Sequence, residues 1–217
     1  TNLINFERAD TYSSALYVSE YELSTYMEEM INAFRAYADV KRISLTYESN
    51  FRYMNTWLDK DKMDSILKNL ISNALKYTPE GGSVHISTAE TEDYWSVEVK
   101  DTGIGIPSSE QKKLFKIHFR GSNAINSKVT GSGIGLLLVW KLVHLHKGKI
   151  NFTSTEGKGS CIKVTFPKGE KPYRKAIHSP KPGSEKVAYA ESGVPKNVTP
   201  NIAYDATKQK QQQNSDL

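Results

Sequence analysis

Two asparagines one helical turn apart, Asn69 and Asn73, are the residues whose type and spacing most suggest chemistry. In a helix they fall together with Lys76 beside an apolar stripe between residues 66 and 74. Amides form helices less readily than Glu or Lys, so such a pair beside a buried stripe is unusual. Two interpretations stay open. The amides are satisfied by nearby backbone, or their oxygens ligate a hard cation such as Mg²⁺ that is shared with phosphate, with Lys76 adding positive charge.

A second group of residues, Asp101-Thr-Gly-Ile-Gly-Ile-Pro107, directly follows a predicted strand. Gly103 and Gly105 would let the backbone turn and come close to a flat ligand. The Asp101 carboxylate can accept a hydrogen bond from an amino group such as that of adenine. By itself, the same pattern also fits an ordinary tight turn.

A third group, Gly131-Ser-Gly-Ile-Gly135, opens the most apolar predicted helix in the chain. Glycines at a helix start expose backbone N–H groups at the positive end of the helix dipole, which suits phosphate. No Lys-Ser or Lys-Thr pair follows, which excludes a Walker A loop, and no strand precedes, which excludes a Rossmann fingerprint.

Hydrophobic periodicity predicts the elements that would position these residues. The expected helices cover residues 20–38, 59–77, 109–117 and 133–146, and the expected strands cover 41–47, 53–58, 83–88, 94–100, 149–153 and 160–166. Asp59 or Asp61 is the expected N-cap of the second helix. Helices and strands in this mixed order predict an α+β fold, with helices on one face of a mixed sheet.

The composition is that of an ordinary globular protein, with 38% hydrophobic and 24% charged residues in 217. No stretch approaches the roughly 18 uninterrupted apolar residues that a membrane span needs, and residues 1–8 lack the features of a signal peptide. The single cysteine, Cys161, excludes an internal disulfide and a thiolate metal cluster, which fits a reducing compartment.

The net charge of +5 is concentrated in the last fifty residues, which hold 9 Lys or Arg against 5 Asp or Glu. A nearly neutral body argues against nucleic-acid binding. The same fifty residues hold five of the eight prolines, and they show no apolar periodicity. The sequence therefore predicts that the folded domain ends near Pro167 and that residues 168–217 are a linker.

Together these groups resemble the nucleotide-binding boxes of sensor histidine kinases. Residues 67–79 resemble the N box, 101–107 the first G box, 114–119 the F box and 131–136 the second G box, in the family's order and at its spacing. The resemblance covers residues 1–167. It implies a two-layer α/β sandwich, with a mixed sheet of about five strands and three helices on one face. Gyrase-type, mismatch-repair and heat-shock chaperone ATPases share this fold.

The resemblance implies ATP and Mg²⁺ as cofactors. Asn73 is similar to the Mg²⁺-ligating asparagine, and Asn69, Lys76 and Tyr77 would lie near the phosphates and ribose; Asn69, Asn73 and Lys76 would be catalytic. Asp101 matches the carboxylate that reads the adenine amino group. Further expected nucleotide contacts are Gly103, Ile104, Gly105, Ile106, Phe115, Arg120, Gly131, Ser132, Gly133, Ile134, Gly135 and Leu136. Residues 120–130 would form a mobile lid hinged at Gly121 and Gly131.

These kinases transfer the γ-phosphate of ATP to a histidine on a dimerisation element that precedes the ATP domain, in two-component signal transduction. That histidine is followed by an acidic residue, and none of the five histidines here is: His85, His118, His144, His146 and His178. The phosphoacceptor is therefore expected on a domain absent from this chain. The chain alone is expected to bind ATP without phosphorylating itself.

The sequence also predicts where two groups of histidines lie. His85 is expected on a half-exposed strand. His144 and His146 are expected at the end of the last helix, where a positive charge suits the helix dipole.

The expected domains are residues 1–15, the last stretch of the dimerisation element; 16–167, the catalytic domain; and 168–217, a linker to a further domain such as a receiver. The expected partners are the dimerisation domain of the same protein, a response regulator or receiver domain, and a second copy in a full-length homodimer, but no nucleic acid. The domain is expected in the cytoplasm, with the full-length protein anchored in the inner membrane.

Two alternatives remain. One is a hydrolytic ATPase of the same superfamily. The F box, the short lid and the lack of a catalytic Glu at the start of the amide helix disfavour it. The other is a signalling module that binds nucleotide or a partner without catalysis.

Overall fold

The computed structural model describes residues 15–115, 121–122 and 133–178, which belong to one compact unit. Several expectations lie outside these residues: the dimerisation remnant except Ala15, the lid beyond Ser122 with Arg120, Gly131 and Ser132, the F-box residue His118, and the linker after His178. In the described part of the chain, no helix is both long and apolar enough to cross a membrane.

The described residues form three α-helices and eight strands. The helices are α1 (Leu23–Val40), α2 (Lys60–Tyr77) and α3 (Gly135–Leu145). The strands are β1 (Tyr17–Glu22), β2 (Ser44–Ser49), β3 (Asn55–Leu58), β4 (Ser83–Glu90), β5 (Tyr94–Asp101), β6 (Lys149–Thr155), β7 (Gly159–Pro167) and β8 (Ile177–His178).

Five strands form the main sheet in the order β2-β4-β5-β7-β6. The β2–β4 pair is parallel and the other pairs are antiparallel, so the sheet is mixed. Strands β3, β1 and β8 form a second, smaller sheet. The register of β5 on β7 sets Asp101 opposite Ser160, at the end of β5.

The core lies between the main sheet and the helices. Alternate residues of β5, Trp95, Val97 and Val99, are buried on one face, and the Trp95 ring lies 4.8 Å from that of Phe166 on β7. The apolar stripe of α2 is buried in the same cluster: Ile66, Leu67, Leu70, Ile71 and Ala74. Apolar burial of this kind is the main favourable contribution to folding. The predicted two-layer α/β sandwich, with three helices and a five-stranded mixed sheet, is confirmed.

Strand β1 was not predicted, and the helix expected from Glu20 begins only at Leu23. Glu22 is the reason for the boundary, since its carboxylate accepts hydrogen bonds from the backbone N–H groups of Ser24 (2.9 Å) and Thr25 (2.7 Å) and so caps α1. The expected helix over 109–117 is also wrong in its described part, which contains one 3-10 turn over Gln111–Lys113.

The N-cap of α2 is Asp59, which is one of the two predicted candidates. Its carboxylate accepts from the backbone N–H of Lys62 (3.2 Å) and pairs with the Lys62 ammonium (2.7 Å) in a nearly buried ion pair. The backbone N–H of Tyr17 on β1 donates to the same carboxylate at 2.9 Å. The start of α2 is therefore tied to the first described strand.

The described fold continues past Pro167, where the sequence predicted its end. Tyr173 is 2% exposed and packs with Leu16 and Val18. Its hydroxyl donates to the backbone oxygen of His146 at 3.2 Å. Strand β8 then pairs in parallel with β1, Ile177 lying opposite Tyr17. Residues 171–178, the C-terminal strap, thus hold the first strand.

His146 caps the end of α3, as predicted, but it is fully buried. Burial lowers its pKa from the ordinary 6.5, so the neutral ring is favoured and the expectation of a positive charge is wrong for this residue. Its Nδ1 lies 2.8 Å from the Leu142 oxygen, and its Nε2 accepts from the Asp59 N–H at 3.4 Å. His144 is exposed at the same helix end.

Replacing Tyr173 with Ala is expected to lower the free energy of unfolding by about 3 kcal/mol, because a large buried ring is removed. Urea denaturation measures the change. Tyr53→Ala, at a tyrosine that is 68% exposed, is the matched control and is expected to stay within about 0.5 kcal/mol of wild type. Equal small losses in both variants would contradict the docking of the strap.

The free energy of unfolding is expected to fall as the pH drops below 6.5, the ordinary pKa of histidine. The unfolded chain then takes up a proton at His146 that the folded chain, with its lowered pKa, does not take up. Above pH 6.5 this contribution is fully present. Denaturation between pH 7.5 and 5.5 should show a shallower decline for His146→Gln than for wild type. Identical slopes in the two proteins would refute the assignment.

Candidate active site

A cavity of about 240 Å³ lies between α2, the turn after β5, the start of α3 and the β6–β7 hairpin. It collects most of the residues that the sequence singled out for chemistry. Those that line it are Asn69, Asn73, Lys76, Tyr77, Asp101, Ile104, Gly105, Ile106, Gly133, Gly135 and Leu136.

The amide pair of α2 faces this cavity at the start of α3. The Asn69 side-chain nitrogen donates to the backbone oxygen of Ser65 at 2.7 Å, so one half of this amide is satisfied by backbone. A Cβ added to Gly135 would lie 2.5 Å from Asn69 Oδ1 and 3.9 Å from Asn73 Nδ2. A side chain at position 135 would therefore displace the Asn69 amide from its place beside α3.

The two residues that end α2 lie side by side in the cavity wall. The ammonium of Lys76 is 5.0 Å from the centre of the Tyr77 ring, which is a cation–π contact. Lys76 brings a positive charge to the same side of the cavity as Asn73. This end of the cavity is therefore suited to an anionic group.

Asp101 is the last residue of β5 and is partly buried. Burial raises the pKa of its carboxyl, and this effect outweighs that of two hydrogen bonds, which lower the pKa. Both bonds end on Oδ1, from the N–H groups of Gly103 (2.8 Å) and Ser160 (3.2 Å). The described residues place no hydrogen bond on Oδ2, which leaves an acceptor for a ligand.

The turn after Asp101 is fixed against the β6–β7 hairpin. Gly105 has φ +62°, and a Cβ there would lie 2.0 Å from the backbone oxygen of Thr155. The Ile106 N–H donates to Ser154 Oγ at 2.8 Å, and the Gly157 N–H donates to the Ile104 oxygen at 2.8 Å. A side chain at position 105 would push the turn off the hairpin.

Three expected contact residues lie behind the cavity wall instead of in it. Gly103 donates to Asp101, and a Cβ there would lie 2.5 Å from the backbone oxygen of Tyr77. Phe115 packs edge to face on Phe152, with ring centres 5.7 Å apart. Ile134 is the buried residue before α3. They support residues that line the cavity.

Several lining residues were missed. Phe152 on β6 and Ser160 and Ile162 on β7 come from the hairpin, and Leu70, Ala74, Val99, Leu114 and Gly121 complete the lining. The hairpin residues belong to ordinary alternating strands, so only the register that sets Ser160 opposite Asp101 identifies them.

The described residues contain no group of three or more His, Cys, Asp or Glu that could hold a metal by themselves. Mg²⁺ fits this lining in another way, since it commonly keeps waters and takes phosphate oxygens beside one or two protein oxygens. The amide oxygen of Asn73 is of the right chemical type for such a shared site.

The model of the family described as histidine kinase-, DNA gyrase B-, and HSP90-like ATPase matches residues 58–170. Sensor histidine kinase WalK of Bacillus subtilis is 44% identical over 112 residues, 51% of this chain and 18% of WalK. Histidine kinase P4 of Formosa agariphila is 30% identical over 173 residues, 77% of this chain and 12% of that protein. The chain thus spans less than a fifth of the length of these relatives.

Solved structures share the fold. The catalytic domain of histidine kinase ThkA aligns with a TM-score of 0.64 at 24% identity, over 72% of this chain and 99% of that one. Full-length ShkA, solved in complex with AMPPNP, aligns with a TM-score of 0.66 at 20% identity, over 78% of this chain and 35% of that one.

The relatives named as histidine kinases confirm the resemblance found in the sequence. The matched residues 58–170 make up more than half of the chain and include α2, β5 and α3. The chain therefore belongs to the family of histidine kinase-, DNA gyrase B- and HSP90-like ATPases.

Proposed function

We propose that this chain is the ATP-binding catalytic domain of a sensor histidine kinase. It transfers the γ-phosphate of ATP to a histidine on a dimerisation domain, as a step of a two-component phosphorelay. The observation that carries the proposal is one cavity lined by a partly buried carboxylate, an amide pair with a lysine, and the start of a helix. The relatives named as histidine kinases support it.

Adenine lies at the Asp101 end of the cavity. Oδ2 of Asp101 accepts from the exocyclic amino group, and Ile104, Ile106 and Ile162 pack on the base. The two hydrogen bonds on Oδ1 hold the carboxylate in place before the nucleotide arrives. A fixed acceptor costs less entropy on binding than a mobile one.

The phosphates lie at the other end, beside Asn69, Asn73 and Lys76. Helix α3 is eleven residues long. Its start adds backbone N–H groups and the positive end of the helix dipole. The Asn73 oxygen would hold Mg²⁺ together with the phosphates, and the ion would neutralise part of the charge that moves during transfer. Lys76 and the helix start neutralise what remains, while Asn69 orients the phosphate chain.

The nucleophile comes from another domain. Among the described residues, the side chains of His85, His144 and His146 do not line the cavity. His85 Nε2 pairs with Glu48 at 3.1 Å on the outer strands, and His146 is buried at the far end of α3. None of the five histidines is followed by an acidic residue either, so we expect the chain alone to bind ATP without phosphorylating itself.

Hydrolysis is the less favoured alternative, because it needs a base that activates water. The acidic residues at the start of α2 do not line the cavity. Asp59 pairs with Lys62, and Asp64 accepts from the Tyr26 hydroxyl at 2.7 Å. These carboxylates are held in structural contacts and do not act as the base that hydrolysis needs. Transfer to an acceptor is therefore favoured over hydrolysis.

The catalytic domain acts with its neighbours in a longer protein. The dimerisation domain, whose last stretch is residues 1–15, precedes residues 16–167, and it makes the full-length protein a homodimer. Residues after the strap lead to a receiver domain, or else a separate response regulator accepts the phosphate. The domain works in the cytoplasm, with the full-length protein anchored in the inner membrane.

Replacing Asp101 with Asn is expected to weaken Mg-ATP binding by about 1.5 to 3 kcal/mol, the range for a hydrogen bond to a charged group. The amide can present its N–H₂ group to the adenine amino group, where the carboxylate can only accept. Calorimetry measures the change. Asp93→Asn, in the exposed β4–β5 turn, is the matched control. Unchanged affinity in Asp101→Asn would remove this residue from the site.

Radiolabelled ATP tests the whole proposal. The chain alone is expected to stay unlabelled, and label is expected to appear on an added dimerisation domain as an acid-labile, alkali-stable phosphohistidine. Asn73→Ala should abolish this transfer, because the Mg²⁺ ligand is lost. Ser72→Ala, at an exposed neighbour on α2, should keep it.

Three outcomes of this assay would count against the proposal. Strong labelling of the chain alone would contradict the division between the two domains. Steady phosphate release without an acceptor would favour the hydrolytic alternative. Transfer by Asn73→Ala with normal metal dependence would remove Asn73 from the metal site.

A further inference from the structure

The C-terminal end of α2 forms part of the cavity wall, and its last backbone carbonyls need hydrogen-bond donors. The last four carbonyls of a helix have no partner within the helix. Here they belong to residues 74–77. Thr78 serves the first of them, since its N–H (3.1 Å) and its hydroxyl (2.7 Å) both donate to the Ala74 oxygen. The last, on Tyr77, accepts from the Ile104 N–H at 3.2 Å.

A lysine at the end of α1 donates hydrogen bonds to the two remaining carbonyls, those of Leu75 and Lys76. The ammonium of Lys41 donates to the backbone oxygens of Leu75 at 2.7 Å and of Lys76 at 3.3 Å. It also donates to the oxygen of Thr78, the C-cap residue, at 3.3 Å. An ammonium has three N–H donors, and three carbonyl oxygens receive them. Positive charge is also favoured at this end of a helix.

The backbone of Lys41 is itself fixed. Lys41 is the C-cap of α1, and its N–H donates to the Tyr37 oxygen at 3.2 Å. Its ammonium lies 5.9 Å from the centre of the Tyr37 ring. The next residue, Arg42, has φ +53°, which turns the chain into β2. The side chain of Lys41 therefore crosses from a rigid helix end to the end of α2.

We propose that Lys41 is a positioning residue for the nucleotide. It does not line the cavity, and it lies outside every nucleotide-binding segment found in the sequence. It acts through Lys76 and Tyr77, because it holds the last turn of the helix that carries them. The inference rests on the proposed function, since it takes Mg-ATP as the ligand.

Replacing Lys41 with Met keeps the apolar stem and removes the three donors. The carbonyls of Leu75 and Lys76 then turn to water, the last turn of α2 loosens, and Lys76 loses its place at the phosphates. Mg-ATP binding is expected to weaken about tenfold, the size of a favourable charge interaction at a helix end. Lys41→Arg, which restores donors and charge, is expected to recover most of the affinity.

Calorimetry with Mg-ATP is carried out well below the melting temperature of each variant, so that differences in stability do not enter. Lys149→Met, at an exposed lysine on β6, is the matched control and should bind like wild type. A double-mutant cycle with Lys76→Ala separates positioning from general weakening. If Lys41 acts through Lys76, the loss in the double variant is smaller than the sum of the single losses.

The outcomes distinguish this inference from the proposed function. A wild-type chain that does not bind Mg-ATP overturns both. A wild-type chain that binds, with Lys41→Met binding equally well, overturns the role of Lys41 alone, as does strict additivity in the cycle. If Lys41→Met does not fold, Lys41→Gln, which keeps two donors but no charge, replaces it and should show an intermediate loss.

Discussion

Burial of the apolar stripe of α2 against the main sheet is the constraint on which the site depends. The stripe from Ile66 to Ala74 can enter the core in one rotation of the helix only, and that rotation leaves Asn69 and Asn73 at the margin. The helix cannot slide along its axis either, because Asp59 fixes its start and Lys41, Thr78 and Ile104 hold its end. Packing thus sets the position of polar groups that contribute little to stability themselves.

Close contacts between backbone segments fix the position of Asp101. The turn after β5 touches the β6–β7 hairpin at Gly105, and Gly159 brings the hairpin onto the backbone of Asp101, where a Cβ would lie 1.9 Å from its oxygen. These approaches shield the carboxylate from water and raise its pKa. The Asp101 end of the cavity is therefore held in place mainly by close main-chain contacts, while the end with the amide pair is held by the side-chain packing of α2.

The sequence identified the residues on α2 from two amides one turn apart beside the apolar stripe, and those after β5 and at the start of α3 from glycines that follow a strand or open a helix. It missed Ser160 and Ile162 because they belong to a strand whose alternation is ordinary, and only pairing with β5 brings them to the cavity. It missed the strap because Tyr173 and Ile177 are the two large apolar residues of an otherwise charged and proline-containing segment. The lowered pKa of His146 follows from burial beside Phe166, Tyr173 and the Asp59 N–H, which are distant in the sequence.

The parallel pairing of β1 with β8 has a mechanical consequence. The chain enters at the start of β1 and leaves past the end of β8, and the two strands run in the same direction. A force applied between the start of β1 and the end of β8 would therefore shear this pair along its length, with Tyr173 as a side-chain anchor. Strand β1 is tied to the start of α2 through Tyr17 and Asp59, and Tyr173 is tied to the end of α3 through His146. A shear of the small sheet would therefore reach both helices that line the cavity.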